Sequence, residues 1–400
     1  MAKTLALAVT LALAAAPVAV ASSKSRVLYN FTGGSDGGNP ILFAALAMDA
    51  HGNLYGATYY GGTACGGEGC GVIFEVARSA GGKWSEKVLF DITDFRTQGS
   101  FDSPLTADGE RDLYGCSTEA PTFELTPESP LWDFNPIWQS PCAGGVGLIL
   151  DSAGNLFGDV GLGAYGEGAI SELSPGSSGW TLTELYSFCS KSGCPDGDYP
   201  VAPFSWDSKG NLYGTTYDGG YPYPKCYCGV AFQMTPNGDG TWTYHVLHRF
   251  THGNDGGFPL GSVTVDASGA VYGTTTHGGP YSNGNVFKLT PTKDGRWKLA
   301  VVYGFPDAND GLAPSGDLVF DKAGNLYGTA GSPACNGGCG VIFKLSPQPT
   351  GKWNYSVLHR FNMTDGDYPN GLTRDGEGNL FGTTRGGGKY GYGVVFEITP

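Results

Sequence analysis

A seven-residue signature recurs seven times along this chain, and this repetition limits the possible folds more than any other feature of the sequence. The copies read GNLYGAT, RDLYGCS, GNLFGDV, GNLYGTT, GAVYGTT, GNLYGTA and GNLFGTT, with Leu54, Leu113, Leu156, Leu212, Val271, Leu326 and Leu380 as third residues. Successive copies lie 43 to 59 residues apart. This variation indicates one common structural unit with loops of different length.

Each unit is predicted to contain four β-strands. A short apolar run ending in Asp, as at Asp321, precedes the signature, and a Gly-rich loop follows it. A third strand then leads to a turn closed by Trp, as at Trp353, and that Trp begins a fourth strand. A loop with Asp-Gly and then Pro leads to the next unit, as in the segment 365–369. The period-two alternation and the high aromatic content favour strands over helices.

A small four-stranded sheet cannot bury both of its faces alone, so units of this length are expected to stack radially. The last copy contains three strands, whereas VLYNF at Val27 to Phe31 supplies a fourth strand near the N-terminus. Pairing the two would close the ring and remove exposed sheet edges. We therefore predict an all-β, seven-bladed β-propeller of four-stranded blades over residues 22–400, closed by the N-terminal strand completing the C-terminal blade.

Residues 1–21 have the pattern of a signal peptide. Lys3 provides a positive charge, Leu5 to Ala16 are apolar, and Ala19-Val20-Ala21 is a small-residue cleavage site. The apolar stretch is shorter than the roughly 20 residues that span a bilayer. We therefore expect a secreted or periplasmic protein without membrane insertion.

Ten cysteines are expected to form disulfides in an exported chain. Pairs that share a loop are Cys65 with Cys70, Cys189 with Cys194, Cys226 with Cys228 and Cys335 with Cys339, leaving Cys116 and Cys142. Their spacing does not fit a zinc site. The pairing of Cys226 with Cys228 stays open, because a bond between them closes a very small ring.

The formal charge of −14 argues against nucleic acid as a partner, since binding a phosphate backbone requires a basic surface. Anionic membranes are disfavoured for the same reason. Glycans and extracellular proteins remain as candidate partners, and we expect a monomer.

The signature, a Gly-Gly loop, a GVxFKLTP strand and a final DGxxP together resemble the GloVer tandem repeat of exported bacterial proteins, from about Val27 to Pro400. The resemblance implies a propeller-like fold and export, without an activity. Two copies depart from the pattern. Arg111-Asp112 replaces Gly-Asn in the second, and Asp159-Val160 replaces Thr-Thr in the third.

Residues that break the repeat are better candidates for ligand contact than residues that every blade shares. The positions directly after the signature are the most distinctive, and nearby loops add tyrosines. The predicted ligand-binding residues are Tyr59, Tyr60, Tyr217, Asp218, Tyr221, Tyr223, His277, Tyr281, Arg385 and Tyr390. Aromatic side chains on a rigid scaffold suit a glycan or peptide.

The Asp-Gly loops are interpreted first as turns, since Asp before Gly suits a turn. The alternative is structural Ca²⁺, at Asp196 with Asp198 or at Asp365 with Asp367, where a second acid adds oxygen ligands. We predict no other cofactor.

Three functions remain open. The first is an exported propeller that binds a glycan or protein through its long-loop, disulfide-braced face. The second is a polysaccharide lyase or glycoside hydrolase at the same channel mouth. Its candidate residues are His277 or Tyr217 as base, Arg385 to neutralise a uronate carboxylate, and Asp218 as one acid of a hydrolytic pair. The third is a structural or adhesive module.

Overall fold

The computed structural model describes residues 23–42, 44–63, 69–93, 103–109, 111–117, 121–128, 132–140, 142, 146–221, 226–332 and 339–400. The predicted signal peptide lies outside these residues, as do Cys65, Cys335 and Tyr223. The described chain consists of strands, turns and loops. In this part of the protein, no helix has the length and apolarity needed to cross a bilayer.

The strands form seven antiparallel sheets, one for each copy of the signature. The first strand of the described residues is β1 (Lys24–Asn30). Blade 1 contains β2 (Gly38–Pro40), β3 (Ala47–Met48), β4 (Leu54–Tyr60), β5 (Val72–Arg78) and β6 (Trp84–Asp91); blade 2 contains β7 (Thr106–Ala107), β8 (Leu113–Gly115), β9 (Thr122–Thr126) and β10 (Asp133–Trp138); blade 3 contains β11 (Ile149–Leu150), β12 (Leu156–Gly158), β13 (Ala169–Gly176) and β14 (Gly179–Ser187).

The remaining four blades follow the same order. Blade 4 contains β15 (Asp198–Pro200), β16 (Ser205–Trp206), β17 (Leu212–Asp218), β18 (Val230–Pro236) and β19 (Trp242–Arg249); blade 5 contains β20 (Thr264–Val265), β21 (Val271–Thr275), β22 (Asn285–Pro291) and β23 (Trp297–Gly304); blade 6 contains β24 (Val319–Phe320), β25 (Leu326–Ser332), β26 (Cys339–Pro347) and β27 (Trp353–Arg360); blade 7 contains β28 (Asp367–Arg374), β29 (Leu380–Gly386) and β30 (Val394–Thr399).

The strand order within each blade agrees with the sequence prediction. The signature is the second strand, and it pairs with the apolar run on one side and the third strand on the other, as in β20-β21-β22-β23. In blades 1 and 4 the first strand is split into two pieces, and both pieces pair with the second strand. Each blade is therefore a four-stranded antiparallel sheet.

The predicted ring closure is confirmed. Strand β1 pairs antiparallel with β30, from Lys24 opposite Thr399 to Asn30 opposite Val394. The resulting sheet has the order β1-β30-β29-β28, so the N-terminal strand is the outermost strand of the C-terminal blade. The protein is a seven-bladed β-propeller in which the first and last described strands lie in one sheet.

A repeated aromatic contact packs neighbouring blades together. The phenylalanine that follows a fourth strand contacts the phenylalanine in the third strand of the next blade, because the two sheets stack face to face. The pairs and their ring-centroid distances are Phe188 with Phe232 (5.5 Å), Phe250 with Phe287 (5.1 Å), Phe305 with Phe343 (5.5 Å), Phe361 with Phe396 (5.2 Å) and Phe31 with Phe74 (5.0 Å). The last pair joins blade 7 to blade 1, so closure repeats the contact found inside the ring.

The D-x-x-G-N segment before each signature is a turn capped by its own Asp. In blade 4, Asp207 accepts hydrogen bonds from the backbone N–H groups of Lys209 and Asn211, at 2.8 and 2.9 Å. Its second oxygen accepts hydrogen bonds from the Asn211 amide and the Tyr213 hydroxyl, at 2.8 and 3.1 Å. These turns and the Trp-led turns occupy one end of the ring, which we call the turn face. The opposite end, which carries the second-to-third-strand loops and the loops between blades, is the loop face.

The described cysteines lie on or beside loop-face segments, and disulfides join Cys116 to Cys142, Cys189 to Cys194 and Cys226 to Cys228. The first two pairings confirm the prediction, and the third places Cys226 beside Cys228, which is one of the alternatives that the sequence left open. Cys70 and Cys339 are also disulfide-bonded. Their predicted partners lie outside the described residues.

Candidate functional site

The residues directly after the signature meet at the centre of the loop face. Every second strand runs toward this face, so the same position of each blade arrives at the rim of the central channel. In blades 4, 5, 6 and 7 this position is Tyr217, Thr276, Gly331 and Arg385, and all four line one cavity of about 330 Å³. We call it the mouth cavity. Its volume is in the range of small-molecule sites.

The remaining walls of the mouth cavity come from the segments around the inter-blade prolines and from His277. Leu260, Ser315 and Asn370 follow or lie near the proline of the inter-blade loops, and Leu42 and Tyr368 add apolar surface. Within the part of the chain that the structure describes, Arg385 and His277 are the basic residues of this lining, which contains no carboxylate.

A second cavity of about 340 Å³ adjoins the first and shares Leu42 and Arg385 with it. We call it the side cavity. Tyr59 and Tyr60 form one wall, with their rings edge to face at a centroid distance of 4.9 Å. Both rings are exposed, at 47% and 38%. The two cavities therefore form a continuous surface in which aromatic faces lie beside one guanidinium group.

His277 is held in one tautomer by a short hydrogen-bond chain. The Thr276 hydroxyl donates its single proton to the Phe258 carbonyl oxygen at 2.8 Å, and the same hydroxyl oxygen lies 2.9 Å from His277 Nδ1. Because the hydroxyl has one proton, both contacts can be hydrogen bonds at the same time only when Nδ1 is the donor in the second. Neutral His277 therefore carries its proton on Nδ1, and Nε2 has a free lone pair that can accept a hydrogen bond or a proton.

Arg385 differs from Arg249 and Arg360 of the loop face in the hydrogen bonding of its guanidinium group. Arg249 donates from Nε to the Pro195 carbonyl at 2.8 Å, and Arg360 donates to the Asn309 carbonyl. The backbone carbonyl of Arg385 accepts a hydrogen bond from the Asn39 side chain at 3.1 Å. Across the described ranges, its guanidinium makes neither an ion pair nor a hydrogen bond.

Tyr217 and Asp218 are adjacent in sequence but are placed differently. The Tyr217 ring packs against Phe258, with centroids 5.2 Å apart, and lines the mouth cavity. Burial and, to a smaller extent, the nearby Asp218 carboxylate raise the pKa of Tyr217. Asp218 lies opposite Asp198 in the β15–β17 register and is absent from the cavity lining. Burial and then repulsion by Asp198 raise the pKa of Asp218.

Of the other predicted ligand-binding tyrosines, the three that the structure describes do not line the two cavities. Tyr281 and Tyr390 are exposed, at 57% and 47%, on loops of blades 5 and 7. Tyr221 is partly buried at the start of the blade 4 loop, and Tyr223 lies outside the described residues. The structure thus brings together Tyr59, Tyr60, Tyr217, His277 and Arg385.

The Asp-Gly carboxylates accept hydrogen bonds within their own loops and from the preceding fourth strand. Asp196 accepts the Tyr186 hydroxyl at 2.7 Å, and Asp365 lies 3.0 Å from His359 Nε2. Tyr227 donates to Asp198 at 2.6 Å. No group of three metal-ligating side chains occurs among the residues that were placed. Calcium binding at these aspartates and at Asp367 therefore stays a prediction.

The contribution of the segments around the inter-blade prolines to the site was not predicted from the sequence. The residue before the loop proline has a left-handed backbone in five blades: Asn39 (φ 54°), Tyr199 (φ 58°), Phe258 (φ 57°), Ala313 (φ 46°) and Tyr368 (φ 52°). Four of these residues donate their backbone N–H to the preceding blade, namely to Tyr392, Glu167, Cys228 and Asn283, at 2.8 to 3.1 Å. The DGxxP pattern was visible in the sequence, but non-glycine residues rarely adopt this conformation, so it was not expected.

Among the residues that the structure describes, large exposed apolar side chains are confined to the loop face. Among the described residues these are Leu42, Tyr59, Tyr60, Leu162, Tyr165, Tyr199, Tyr281, Met363, Tyr368, Tyr390 and Tyr392. The turn face has cavities between blades 7 and 1, 3 and 4, and 5 and 6, each lined by residues of the Asp-capped turns. Their recurrence indicates that they follow from blade packing, whereas the apolar loop face is typical of an interaction surface.

Several solved structures resemble this chain in fold. One is a protein described as a gluconolactonase (TM-score 0.44, 12% identity, covering 94% of this chain and 92% of that one). Another is a gluconolactonase from Xanthomonas campestris (TM-score 0.46, 12% identity, 94% and 89%). A third is described as an oxidoreductase, a glucose dehydrogenase, from Thermus thermophilus (TM-score 0.44, 14% identity, 94% and 100%). These likenesses concern the fold and carry no argument about activity.

No curated protein matches the sequence. A family model described as the Gloeobacter/Verrucomicrobia repeat matches residues 123–300 and 226–400, which together cover more than half of the chain. The matched residues span the blades that contribute Tyr217, His277 and Arg385. The chain therefore belongs to the Gloeobacter/Verrucomicrobia repeat family.

Proposed function

We propose that this chain is an exported binding propeller that holds a saccharide in the mouth and side cavities of its loop face. The observation that carries the proposal is that the large exposed apolar side chains of the described part of the chain are confined to that face. Tyrosine presents a rigid apolar ring together with a polar hydroxyl, which suits the alternating apolar faces and hydroxyl edges of a sugar. The disulfides support an oxidising compartment and therefore export.

The shape of the site favours a saccharide over a folded protein. Stable protein interfaces bury about 800 Å² on each partner, usually over a broad surface. Here the basic and aromatic groups face two concave cavities of about 330 and 340 Å³. A cavity of that size encloses one or two sugar rings, and the shared Leu42 and Arg385 would allow an oligosaccharide to occupy both.

Replacing Tyr59 and Tyr60 with alanine is expected to weaken saccharide binding about 10-fold or more, because each ring contributes about 0.5–1.5 kcal/mol of stacking beyond its buried area. The ligand would first be identified on a glycan array with the purified protein, and affinities would then be measured by isothermal titration calorimetry. Tyr281→Ala is the matched control, since Tyr281 is an exposed loop-face tyrosine outside both cavities. Equal losses in the two variants would contradict the proposed site, and a protein that binds no glycan would leave the adhesive or structural function.

A second candidate is polysaccharide elimination, which the free Nε2 of His277 favours. In this reaction Nε2 would take the proton on the carbon beside a uronate carboxylate, while Arg385 neutralises that carboxylate. The glycosidic C–O bond would break as a C=C bond forms, and water would protonate the leaving oxygen. Glycoside hydrolysis has less support, because it requires two carboxyl groups and the cavity lining contains none.

Elimination would be detected by the ultraviolet absorbance of the unsaturated product after incubation with polyuronates. We expect His277→Ala to abolish any such activity and Thr276→Val to reduce it, because Val cannot accept the Nδ1 hydrogen bond that sets the tautomer. Thr276→Ser keeps the hydroxyl and is the control. Binding without product in the unmodified protein would exclude elimination of the polymers tested and leave the binding function.

A further inference from the structure

The mouth and side cavities differ in charge from the rest of the protein. The chain has 37 acidic and 23 Lys and Arg residues, giving a formal charge of −14. Among the residues that line the two cavities, none is acidic, and Arg385 is common to both. A basic residue in a cavity without acidic lining attracts anions, and the field is strongest in a cleft with low-dielectric walls.

The guanidinium of Arg385 has free donors for a ligand. It makes neither an ion pair nor a hydrogen bond with the described residues, whereas Arg249 and Arg360 use theirs on backbone carbonyls. The nearest carboxylate in the adjoining strand is Asp367, which is paired in register with Gly386 and is 8% exposed. It does not form an ion pair with Arg385. The ligand group that best fits the guanidinium is therefore an oxyanion that accepts two parallel N–H hydrogen bonds from it.

Other polar groups around the mouth cavity suit the neutral part of such a ligand. The Tyr217 hydroxyl makes no hydrogen bond with the described residues, and His277 Nε2 can accept one. Leu42, Leu260 and Tyr368 provide the apolar wall that a sugar face covers. The cavity thus combines one oxyanion donor with hydroxyl partners and an apolar surface.

We propose that Arg385 selects acidic saccharides, binding the carboxylate or sulfate of one sugar unit while the loop-face tyrosines contact its ring and its neighbours. This inference rests on the proposed saccharide function and narrows it to a class of ligand. A neutral sugar would leave the guanidinium without a charged partner, so it is expected to bind more weakly. Hydrogen bonds to charged groups contribute about 1.5–3 kcal/mol, which corresponds to about 10- to 100-fold in affinity.

The test compares oligogalacturonate with the same oligosaccharide after reduction of its carboxyl groups, using isothermal titration calorimetry. The acidic form is expected to bind about 10- to 100-fold more tightly, and Arg385→Gln is expected to remove most of that difference. Arg385→Lys should keep part of it, because the charge remains and the bidentate geometry is lost. Lys389→Gln is the matched control: it removes the same charge from an exposed loop residue outside both cavity linings.

Two further ligands and one outcome of the main comparison separate the possible interpretations. A sulfated neutral oligosaccharide distinguishes sulfate from carboxylate as the preferred oxyanion. Equal binding of the acidic and reduced forms would overturn the Arg385 inference and leave saccharide binding intact. Binding of acetate or inorganic sulfate that Arg385→Gln abolishes, without binding of any saccharide, would instead support an oxyanion site and overturn the saccharide function.

Discussion

Replacing Phe31 with alanine is expected to lower the free energy of unfolding by about 3–5 kcal/mol, the usual cost of removing a buried phenylalanine. Phe31 is fully buried and packs against Phe74 of blade 1, and its backbone N–H donates to the Gly393 carbonyl at 3.1 Å. It therefore links blade 7 to blade 1 immediately after the closing strand β1. Urea unfolding followed by tryptophan fluorescence would measure the change.

Phe250→Ala is the matched control, because Phe250 occupies the same position between blades 4 and 5 and is also fully buried. In a closed ring, Phe31→Ala at the junction of blades 7 and 1 and Phe250→Ala between blades 4 and 5 should lower the free energy of unfolding by about the same amount. A much smaller effect of Phe31→Ala would show that the junction contributes less to stability than an ordinary blade interface.

Asp159 is a buried carboxyl at a position where four other blades have threonine. It corresponds to Thr215, and the next residue, Val160, corresponds to Thr216. In blade 4 the Thr216 hydroxyl accepts the backbone N–H of Val230 at 3.2 Å. Valine cannot do so, and in blade 3 Asp159 Oδ1 accepts the equivalent N–H of Ala169 at 2.7 Å. The aspartate therefore replaces the hydrogen bond that the missing threonine would make.

This replacement leaves Asp159 Oδ2 buried without a hydrogen-bond partner among the described residues. Burial raises the pKa of Asp159 well above its ordinary value of 3.8, while the Ala169 N–H opposes the shift. The folded state then binds the proton more tightly than the unfolded state does. The stability that the protonated carboxyl contributes is complete below pH 3.8 and is lost as the pH rises through the raised folded pKa.

The double substitution Asp159→Thr with Val160→Thr is expected to increase the free energy of unfolding at pH 7 by about 1–3 kcal/mol, the cost of an unsatisfied buried polar group. It removes the buried acid and restores an acceptor for the Ala169 N–H. Asp159→Thr alone should increase the free energy of unfolding by less, because the Ala169 N–H then loses its acceptor. The difference in stability between wild type and double variant, measured from pH 4 to pH 8, should grow with pH. A difference that stayed constant would contradict a raised pKa at Asp159.

The strand order and turns of each blade could be predicted from the sequence, because the residues that determine them are close in sequence or recur in every repeat. Asp207 and its counterparts cap turns with their own side chains, and the period-two pattern sets which residues face a neighbouring sheet. The separate strand at Val27 to Phe31 and the incomplete last unit were enough to predict the closure. The loop-face positions after the signature were also identifiable, because they vary while the rest of the repeat does not.

The composition of the site depended on tertiary structure. Residue order alone determined the blade count, the strand order and the face on which the candidate residues lie. It could not decide that Tyr217 lines the mouth cavity while Asp218 lies opposite Asp198, since both are at the end of the same strand. Closure of the ring brings Leu42 and Tyr59 of blade 1 beside Arg385 of blade 7, and a free guanidinium is recognisable only when its surroundings are known. Local hydrogen bonds and the alternation of buried and exposed side chains depend on residues that are neighbours in the sequence. Cavity shape and charge pairing depend on contacts between residues that are hundreds of positions apart.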